Sequence, residues 1–335
     1  MKINFQTPSA NYPVVIKAGL LASLKLPLRS YIISNHKIIK LYKKYFKKYP
    51  VVSFPAGERY KNFNTIMRLT ERLMELEADR FGTLVSFGGG VVGDVTGFLA
   101  SIYMRGLPYI QIPTTLLAMA DAAVGGKTGI DLDEGKNMLG TFWQPKAVYI
   151  DPLVLKTLSA KEWREGMAEV IKHGIIDGKL FNWIIINKEK IKNQDKKILE
   201  QMIYKNCLVK KKIVEADERE QGKRAILNLG HTFAHALEVL SDYQINHGDA
   251  VSMGLVQAAK ISQADFLPEL LLLLKYFQLP ITLPAEFKAQ DIIGAMKHDK
   301  KNIKSQITLI VPVKLGKIKI VKNYLPKKII QCLNQ

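Results

Sequence analysis

The sequence has few cysteines and no long hydrophobic run. Cys207 and Cys332 are far apart and form no C-x-x-C motif, which excludes a disulfide-stapled scaffold and a zinc site built from thiolates. The densest apolar run covers only residues 270–274, whereas a membrane-spanning helix needs about 20 apolar residues. The first ten residues have no apolar core behind a basic start, so a secretory signal is not expected. We therefore expect a soluble, cytoplasmic protein with no membrane partner.

Acidic residues are also few relative to basic ones. The 335 residues include 30 Asp and Glu against 49 Lys and Arg, which gives a formal net charge of +19. A nucleic acid, an anionic membrane surface or an anionic small molecule is compatible with this charge. Two lysine-rich stretches, at 37–48 and 188–197, have the character of solvated surface. No zinc finger, helix-turn-helix or RNP-like aromatic motif is present, so a nucleic acid is not the expected partner.

The pattern of apolar residues changes character part of the way along the chain. Short apolar runs typical of strands, separated by helical periodicity, predict a parallel sheet flanked by helices. These runs are at 31–33, 51–54, 84–87, 109–112 and 148–150, and a late pair at 307–311 and 317–321 predicts a hairpin. From the capping box of Ser159 and Glu162 onward, long helical patterns dominate. We expect a Rossmann-like α/β domain over 1–151 and a mainly helical domain over 152–335.

A glycine motif follows one of the predicted strands. Gly88-Gly-Gly90-Val-Val-Gly93-Asp94 contains G-x-G-x-x-G between a strand pattern and a helix pattern. Such glycines let the backbone approach a pyrophosphate, and the amides at a helix N-terminus face the anion. The acidic residue usually found about 20 positions later is missing, and Asp121 is too far along to replace it. These residues alone are compatible with dinucleotide binding and with a structural glycine turn.

Glycines also accompany lysines further along the same part of the chain. Pro113-Thr-Thr is followed by Gly125-Gly-Lys127 and by Gly135-Lys136-Asn137. Ligands of α/β sheets bind at the carboxyl ends of strands, where such residues suit anionic oxygens. The alternative is that Lys127 and Lys136 are ordinary loop lysines.

Four of the six histidines are close together in the second half of the chain: His173, His231, His235 and His247. The first and second histidines of Asn228-Leu-Gly-His231-Thr-Phe-Ala-His235-Ala-Leu-Glu238 share one helix face with Glu238. The glutamate of an H-E-x-x-H motif is missing. Glu169, one turn before Lys172, together with two histidines would make a three-ligand catalytic zinc site. The alternative is a set of packed or solvated histidines.

Together these motifs resemble the 3-dehydroquinate synthase family. The matching strings are Pro55-Ala-Gly-Glu58-Arg-Tyr-Lys61, Phe87-Gly-Gly-Gly-Val-Val-Gly-Asp94, Arg105-Gly, Pro113-Thr-Thr, Asp121, Gly125-Gly-Lys127, Gly135-Lys-Asn137, Gln144-Pro, Gly166-Met-Ala-Glu169-Val-Ile-Lys172, Asp217-Glu-Arg-Glu220, Arg224, Asn228-Leu-Gly-His231-Thr-Phe-Ala-His235, His247-Gly and Asp299-Lys-Lys301. They occur in the family's order, and the two ends of the chain carry little of the match. Asn35 stands where many members have Asp, and Asp249 where Glu is common.

The resemblance implies an NAD-binding α/β domain, a helical domain, an active site in the cleft and a homodimer. It implies NAD contacts from Ala56, Gly57, Glu58, Arg59, Tyr60, Lys61, Gly90, Val91, Val92, Gly93, Asp94, Thr114, Thr115, Lys127, Lys136, Val154, Leu155, Lys156 and Thr157. It implies one divalent metal, zinc or cobalt, held by Glu169, His231 and His247. The implied substrate contacts are Arg105, Asp121, Lys127, Lys136, Asn137, Lys172, Lys210, Arg224, Asn228, His235 and Lys300. Of these, Lys172, His235, Lys210, Asn228 and Arg224 are expected to be catalytic, and Arg105 to reach the partner subunit's substrate phosphate.

The implied activity is that of a carbon–oxygen lyase in the shikimate pathway to aromatic amino acids. It would convert 3-deoxy-D-arabino-heptulosonate 7-phosphate to 3-dehydroquinate and phosphate. NAD would remove a hydride from the carbon 5 alcohol and return it after phosphate elimination, before an intramolecular aldol closure. The metal would act as a Lewis acid on that oxygen, and His235 would relay a proton.

Three alternatives to this activity remain open. Other sugar phosphate cyclases, such as 2-deoxy-scyllo-inosose and 2-epi-5-epi-valiolone synthases, share the cofactors, but Asn137, Lys172, Lys210, Arg224 and His235 favour the dehydroquinate pattern. A metal-dependent polyol dehydrogenase would accumulate NADH. A basic nucleic-acid-binding protein would show salt-sensitive retention on DNA.

Overall fold

The computed structural model describes residues 1–297 and 306–333. The chain forms two compact units, which are described separately below. The first unit contains Met1–Leu158 and Lys196–Arg219, and the second contains Ser159–Asp195 and Glu220–Gln335. The helix at Lys196–Ala216 therefore packs within the first unit, whereas the sequence pattern alone groups it with the helical part of the chain.

Strands and helices alternate through the first unit, and helices dominate the second. The strands are β1 (Lys2–Gln6), β2 (Asn11–Ile16), β3 (Ser30–Asn35), β4 (Val51–Phe54), β5 (Thr83–Gly88), β6 (Tyr109–Pro113), β7 (Lys127–Leu132), β8 (Gly135–Phe142), β9 (Ala147–Ile150), β10 (Leu309–Lys314) and β11 (Lys317–Val321). The helices are α1 (His36–Tyr42), α2 (Phe63–Glu75), α3 (Gly90–Ile102), α4 (Ala160–Asp177), α5 (Lys179–Lys192), α6 (Lys196–Ala216), α7 (His231–Leu240), α8 (His247–Ile261), α9 (Leu267–Tyr276), α10 (Ala289–Lys297) and α11 (Pro326–Leu333).

The core of the first unit is a seven-stranded sheet in the order β1-β2-β9-β6-β5-β3-β4. Only β1 and β2 pair antiparallel, and every other pairing is parallel. All residues of β5 and β6 are buried, because a central parallel strand is covered on both faces. The expected α/β fold class is confirmed, and each of the five predicted strands is present.

Helices cover this sheet with apolar faces set by their spacing. Asn62 caps α2 by accepting a hydrogen bond from the Thr65 amide at 3.0 Å, and Ile66, Leu69 and Leu73 fall on the buried face. Helix α3 is buried over most of its length. It approaches β7 so closely that a Cβ on Gly97 would lie 2.3 Å from the Thr128 methyl group.

Strands β7 and β8 form a separate antiparallel hairpin that the sequence reading did not anticipate. Lys127 begins β7 and Lys136 lies in β8, so both belong to strands rather than to loops, and their binding role stays a prediction. The hairpin backbones pack tightly where glycines face each other, and a Cβ on Gly140 would lie 2.3 Å from the Thr128 carbonyl oxygen. Because glycine is common in loops, the glycines that permit this contact made the segment resemble a loop in the sequence.

The second unit is a helical bundle with one small hairpin. The predicted capping box is present at the start of α4, where Ser159 and Glu162 satisfy each other's backbone amides. The backbones of α8 and of the residue that precedes α7 are in direct contact at Gly254 and Gly230. A Cβ added at Gly254 would lie 2.2 Å from the Gly230 carbonyl oxygen. The predicted late hairpin is confirmed as β10 paired antiparallel with β11. No helix of the described residues is long and apolar enough to span a bilayer.

Candidate active site

The glycine loop joins β5 to α3, and its glycines have different reasons to be glycine. A Cβ on Gly88 would lie 2.5 Å from Val92, and one on Gly93 would lie 2.9 Å from the Gln111 side chain, so both allow close packing. At Gly90, the first residue of α3, a Cβ would meet only Ala122 among the described residues, at an ordinary 3.7 Å. Packing therefore does not require glycine at position 90. An anion that approaches the amides at the helix N-terminus does require it, because a side chain there would stand in its way.

A buried lysine connects the glycine loop to its neighbours. The Lys61 ammonium donates to Asp94 in the first turns of α3 at 2.6 Å and to the Asn137 side chain on β8 at 2.5 Å. Burial opposes its charge, but the carboxylates of Asp94 and Glu58 outweigh that effect and raise the pKa of Lys61. The Lys61 carbonyl also accepts from the Asp131 amide at 2.7 Å. Lys61 thus holds three of the segments expected to contact NAD or substrate.

Other expected NAD contacts lie at the same edge of the sheet. The Thr114 amide donates to the Gly88 carbonyl at 2.9 Å, so the ends of β5 and β6 are adjacent. The Tyr42 hydroxyl on α1 donates to the Val154 carbonyl at 3.1 Å and lies 2.7 Å from the Thr157 hydroxyl. Val154 and Thr157 both lie in a short 3-10 helix at Pro152–Thr157. Ala56, Gly57 and Arg59 are exposed.

The loop before Lys127 is held from two sides. The Gly125 amide donates to the Tyr12 hydroxyl at 3.2 Å. Gln144 packs against Gly126 and donates to Glu218 at 2.7 Å. Lys127 is exposed and Lys136 is half-buried.

Asp121 and Lys210, both expected substrate contacts, lie together in the first unit. The Lys210 ammonium on α6 donates to the Asp121 carboxylate at 2.6 Å and to its carbonyl at 2.7 Å. Asp121 belongs to a π-helical turn at Ala118–Ala122. One turn earlier on α6, the buried Asn206 side chain donates to the Ala120 carbonyl at 2.6 Å, which fixes the turn against the helix.

In the second unit, Glu169, His231 and His247 form a compact group. Glu169 is buried on α4, and the two histidines begin α7 and α8. One ligand atom from each residue lies within 4.8 Å of the other two. The Glu169 Oε1 atom lies 3.6 Å from Nε2 of each histidine. Ligands in a tetrahedral zinc site with bonds of about 2.1 Å are about 3.4 Å apart, so this group fits a divalent metal.

The second ring nitrogen of each histidine fixes the direction of the first. His231 Nδ1 lies 3.2 Å from the Leu229 carbonyl oxygen, and His247 Nδ1 lies 3.1 Å from Glu238 Oε1. These oxygens accept a hydrogen bond, so the Nδ1 atoms carry protons and the Nε2 atoms face Glu169. Metal-binding histidines are typically oriented in this way.

The pKa values of the two histidines are shifted in opposite directions. Burial, and then the charge of Lys172, holds the pKa of His231 well below its ordinary value. Burial also opposes charge on His247, but hydrogen bonds to Glu169 and Glu238 outweigh it and raise the pKa to about 10. Glu169 and Glu238 thus favour a positive charge beside them. A divalent cation held by the group would supply that charge in place of the proton on His247.

The remaining expected residues of the second unit surround this group or lie on the adjoining 3-10 helix. Lys172 is buried one turn from Glu169 and pairs with its carboxylate. The His235 ring lies 5.5 Å from the His231 ring. Arg224 is buried on the 3-10 helix at Lys223–Asn228, and the Asn228 side chain donates to Glu220 at 2.6 Å.

Two expected residues are not placed with these groups. Arg105 is exposed at the end of the short 3-10 helix Tyr103–Arg105 that follows α3, in a left-handed backbone conformation with φ of 69°. Lys300 lies outside the described residues. Conversely, the sequence reading gave Glu238 no role, although its helix-face spacing from His231 was visible.

The fold is shared with solved structures of sugar phosphate cyclases. A 2-epi-5-epi-valiolone synthase from Streptomyces hygroscopicus, solved with NAD⁺ and Zn²⁺, matches with a TM-score of 0.88 and 24% identity over 96% of both chains. A 2-deoxy-scyllo-inosose synthase, solved with carbaglucose-6-phosphate, NAD⁺ and Co²⁺, matches with a TM-score of 0.86 and 24% identity over 99% of both chains. These likenesses define the fold class.

The sequence comparisons define the family. The models of the 3-dehydroquinate synthase N-terminal and C-terminal regions match residues 51–165 and 166–302. The 3-dehydroquinate synthase of Thermodesulfovibrio yellowstonii is 41% identical over 95% of this chain and 95% of its own. That of Dictyoglomus thermophilum is 41% identical over 99% and 97%. The chain belongs to the 3-dehydroquinate synthase family, which confirms the resemblance found in its motifs.

Proposed function

We propose that the chain converts 3-deoxy-D-arabino-heptulosonate 7-phosphate to 3-dehydroquinate and phosphate, using NAD and one divalent metal, zinc or cobalt. Relatives named 3-dehydroquinate synthase are 41% identical in sequence over 95% and 99% of this chain. The observation in the structure that carries the proposal is the Glu169, His231 and His247 group, whose spacing suits such a metal. The related cyclase structures contain NAD⁺ with Zn²⁺ or Co²⁺.

When bound, NAD supplies reversible hydride transfer and the metal supplies Lewis-acid polarisation of a substrate oxygen. Glu169, His231 and His247 would hold the metal through one carboxylate oxygen and two Nε2 atoms. Lys172 offsets the negative charge of Glu169 from the buried side. His235 is half-buried beside His231, which suits it to exchange protons with a substrate hydroxyl.

The amino end of α3 is proposed as the pyrophosphate site of NAD. Gly90 contributes no side chain there, so the first amides of the helix are accessible to an anion. Lys61 and Asp94 shape the adjacent wall through their ion pair. The remaining cofactor contacts are proposed for the loop at 56–61, for Thr114 and Thr115, and for the 3-10 helix at Pro152–Thr157.

The substrate carries a carboxylate and a phosphate and therefore needs several fixed cations. In the first unit, Lys127, Lys136 and Lys210 are proposed for this role, with Asp121 and Asn137 as hydroxyl partners. In the second unit, Lys172 and Arg224 are proposed, with Asn228 and His235 as polar partners. An anionic small molecule is therefore the partner that we propose for part of the excess of Lys and Arg in the sequence.

A homodimer is proposed together with a role for Arg105 across its interface. Apolar side chains that are 38–47% exposed lie on the β7–β8 hairpin, at Leu132, Met138, Leu139 and Phe142. Exposed apolar surface of this kind is typical of an interface between subunits. Mixing an Arg105→Ala variant with a Lys210→Ala variant should then restore activity, because one heterodimer site keeps both residues. Two inactive variants that stay inactive when mixed would argue against the exchange.

The direct test is phosphate release from the heptulosonate phosphate by purified protein supplied with NAD and Zn²⁺ or Co²⁺. We expect phosphate and 3-dehydroquinate in equal amounts and none after removal of the metal by a chelator, with recovery when the metal is returned. Glucose 6-phosphate, the sugar counterpart of the carbaglucose-6-phosphate bound in the related synthase structure, serves as the control for another cyclase activity. Turnover of this control in preference to the heptulosonate phosphate would overturn the assignment.

A further inference from the structure

The two histidines of the metal group are oriented by different kinds of partner. His231 Nδ1 donates to the carbonyl of Leu229, two residues earlier in its own chain segment. No side-chain substitution removes a backbone carbonyl. His247 Nδ1 donates instead to a side chain, the carboxylate of Glu238 on the neighbouring helix α7.

The two rings also differ in how tightly their surroundings confine them. The His231 side chain is 11% exposed and the His247 side chain is 33% exposed. Packing therefore restrains His231 more than His247. A partly exposed ring that can rotate needs a specific hydrogen bond to keep its Nε2 atom directed at the other ligands.

Glu238 is well placed to supply that restraint. It lies two helical turns after His231, on the same face of α7, and its side chain is only 8% exposed. Gly230 and Gly254 bring α7 and α8 into backbone contact, so the distance between Glu238 and the start of α8 is fixed by packing. Asn246 caps α8 by accepting from the Asp249 amide at 3.0 Å, which fixes the first turn that carries His247.

We propose that Glu238 is a positioning residue for the metal, because its carboxylate fixes the tautomer and ring plane of His247 through Nδ1. The inference rests on the metal site of the proposed function. A hydrogen-bonded carboxylate behind a metal-binding imidazole typically contributes 10–100-fold to metal affinity. We expect a loss of about that size when the acceptor is removed.

The test measures Co²⁺ affinity by competition with a chelator, together with the visible absorption of the bound Co²⁺, in the parent and in Glu238→Ala and Glu238→Gln. Glu238→Ala should bind Co²⁺ about 10–100-fold more weakly and shift the absorption bands, because one ligand is no longer held in place. Glu238→Gln keeps an oxygen acceptor for Nδ1 and should recover most of the affinity. If Glu238→Ala does not fold, Glu238→Asp withdraws the acceptor while keeping its charge and should show the same weakening.

The matched control is Glu218→Gln, which changes another buried, hydrogen-bonded glutamate in the first unit and should leave Co²⁺ affinity unchanged. Parent-like affinity in a folded Glu238→Ala or Glu238→Asp variant would overturn the inference alone. A Glu238→Gln variant as weak as Glu238→Ala would also overturn it, since the hydrogen bond would then not set the affinity. A parent protein that binds no Co²⁺ would overturn the proposed metal site itself.

Discussion

The two units build their candidate sites from different materials. In the first unit the glycine loop before α3 offers backbone amides, and its glycines matter for what they lack. In the second unit, Glu169, His231 and His247 offer side-chain atoms brought together from three helices. A backbone site is disturbed by adding atoms, whereas a ligand site is disturbed by removing them. The difference predicts which substitutions are damaging in each unit.

The largest effect should follow loss of a ligand in the second unit. His231→Ala, His247→Ala or Glu169→Gln should lower kcat by about a thousandfold or more, because the metal contributes several kcal/mol to the transition state. Elemental analysis should find the purified variants depleted of metal. His36→Ala, which changes an exposed histidine of the first unit, should keep both metal and activity. Full metal content in all three ligand variants would remove the basis of the comparison.

The same contrast explains what could be predicted from the sequence. The glycine loop is a continuous string, and the strands on either side are bracketed apolar runs, so both were visible in advance. The capping box of Ser159 and Glu162 and the late hairpin were visible in the same way. The spacing indicated a three-ligand site of Glu169 with two histidines, and the family resemblance implied that these are His231 and His247.

What the sequence did not predict depends on contacts between distant segments. The β7–β8 hairpin reads as a glycine-rich loop because its glycines are needed only for backbone contact across the pair. Strands β1 and β2 alternate buried with more exposed residues, but they bury only two and three residues respectively, which makes the alternation too short to identify either strand. The partnership of Glu238 with His247 depends on the close packing of α7 on α8, which spacing along one helix does not reveal.

In the first unit, adding one methyl group should separate cofactor binding from packing. Gly90→Ala meets only an ordinary contact, so stability should be kept while NAD⁺ binds about tenfold more weakly or worse. Gly88→Ala would clash with Val92 and should cost about 1–3 kcal/mol of unfolding free energy. Calorimetric titration with NAD⁺ and denaturant unfolding measure the two effects. Unchanged NAD⁺ affinity in Gly90→Ala would leave the glycine motif as a structural turn.

A smaller effect distinguishes the ion pair of a buried lysine in the first unit from that of a half-buried lysine on the same helix. Lys210→Met removes two hydrogen bonds to Asp121 and should lower the unfolding free energy by about 1–3 kcal/mol. The adjacent Lys211→Met removes a single ion pair with Glu215 from a lysine that is more exposed than Lys210, and it should cost less than about 0.5 kcal/mol. Urea unfolding of both variants provides the comparison. Equal costs would mean that Asp121 is not held by Lys210.

The smallest effect should depend on pH. Burial opposes the charge of Glu218, but hydrogen bonds from Ser9 and Gln144 outweigh it and lower the pKa of Glu218. A lowered pKa stabilises the fold above the unfolded value of about 4.3, and this stabilisation is lost as the pH falls through the folded value. Glu218→Gln should therefore cost about 1 kcal/mol near neutral pH and less at pH values below about 4. A constant difference across this range would contradict the assignment of the charge.

The central claim is that both sites serve one reaction in which the hydride is removed and returned. It is tested most directly by supplying the metal-loaded protein with one NAD⁺ per subunit and an excess of heptulosonate phosphate. The account predicts many phosphates and an equal number of dehydroquinate molecules released per NAD⁺, with NADH never exceeding the enzyme concentration. One NADH formed for every substrate consumed, with turnover ending when NAD⁺ is exhausted, would contradict it and favour a polyol dehydrogenase.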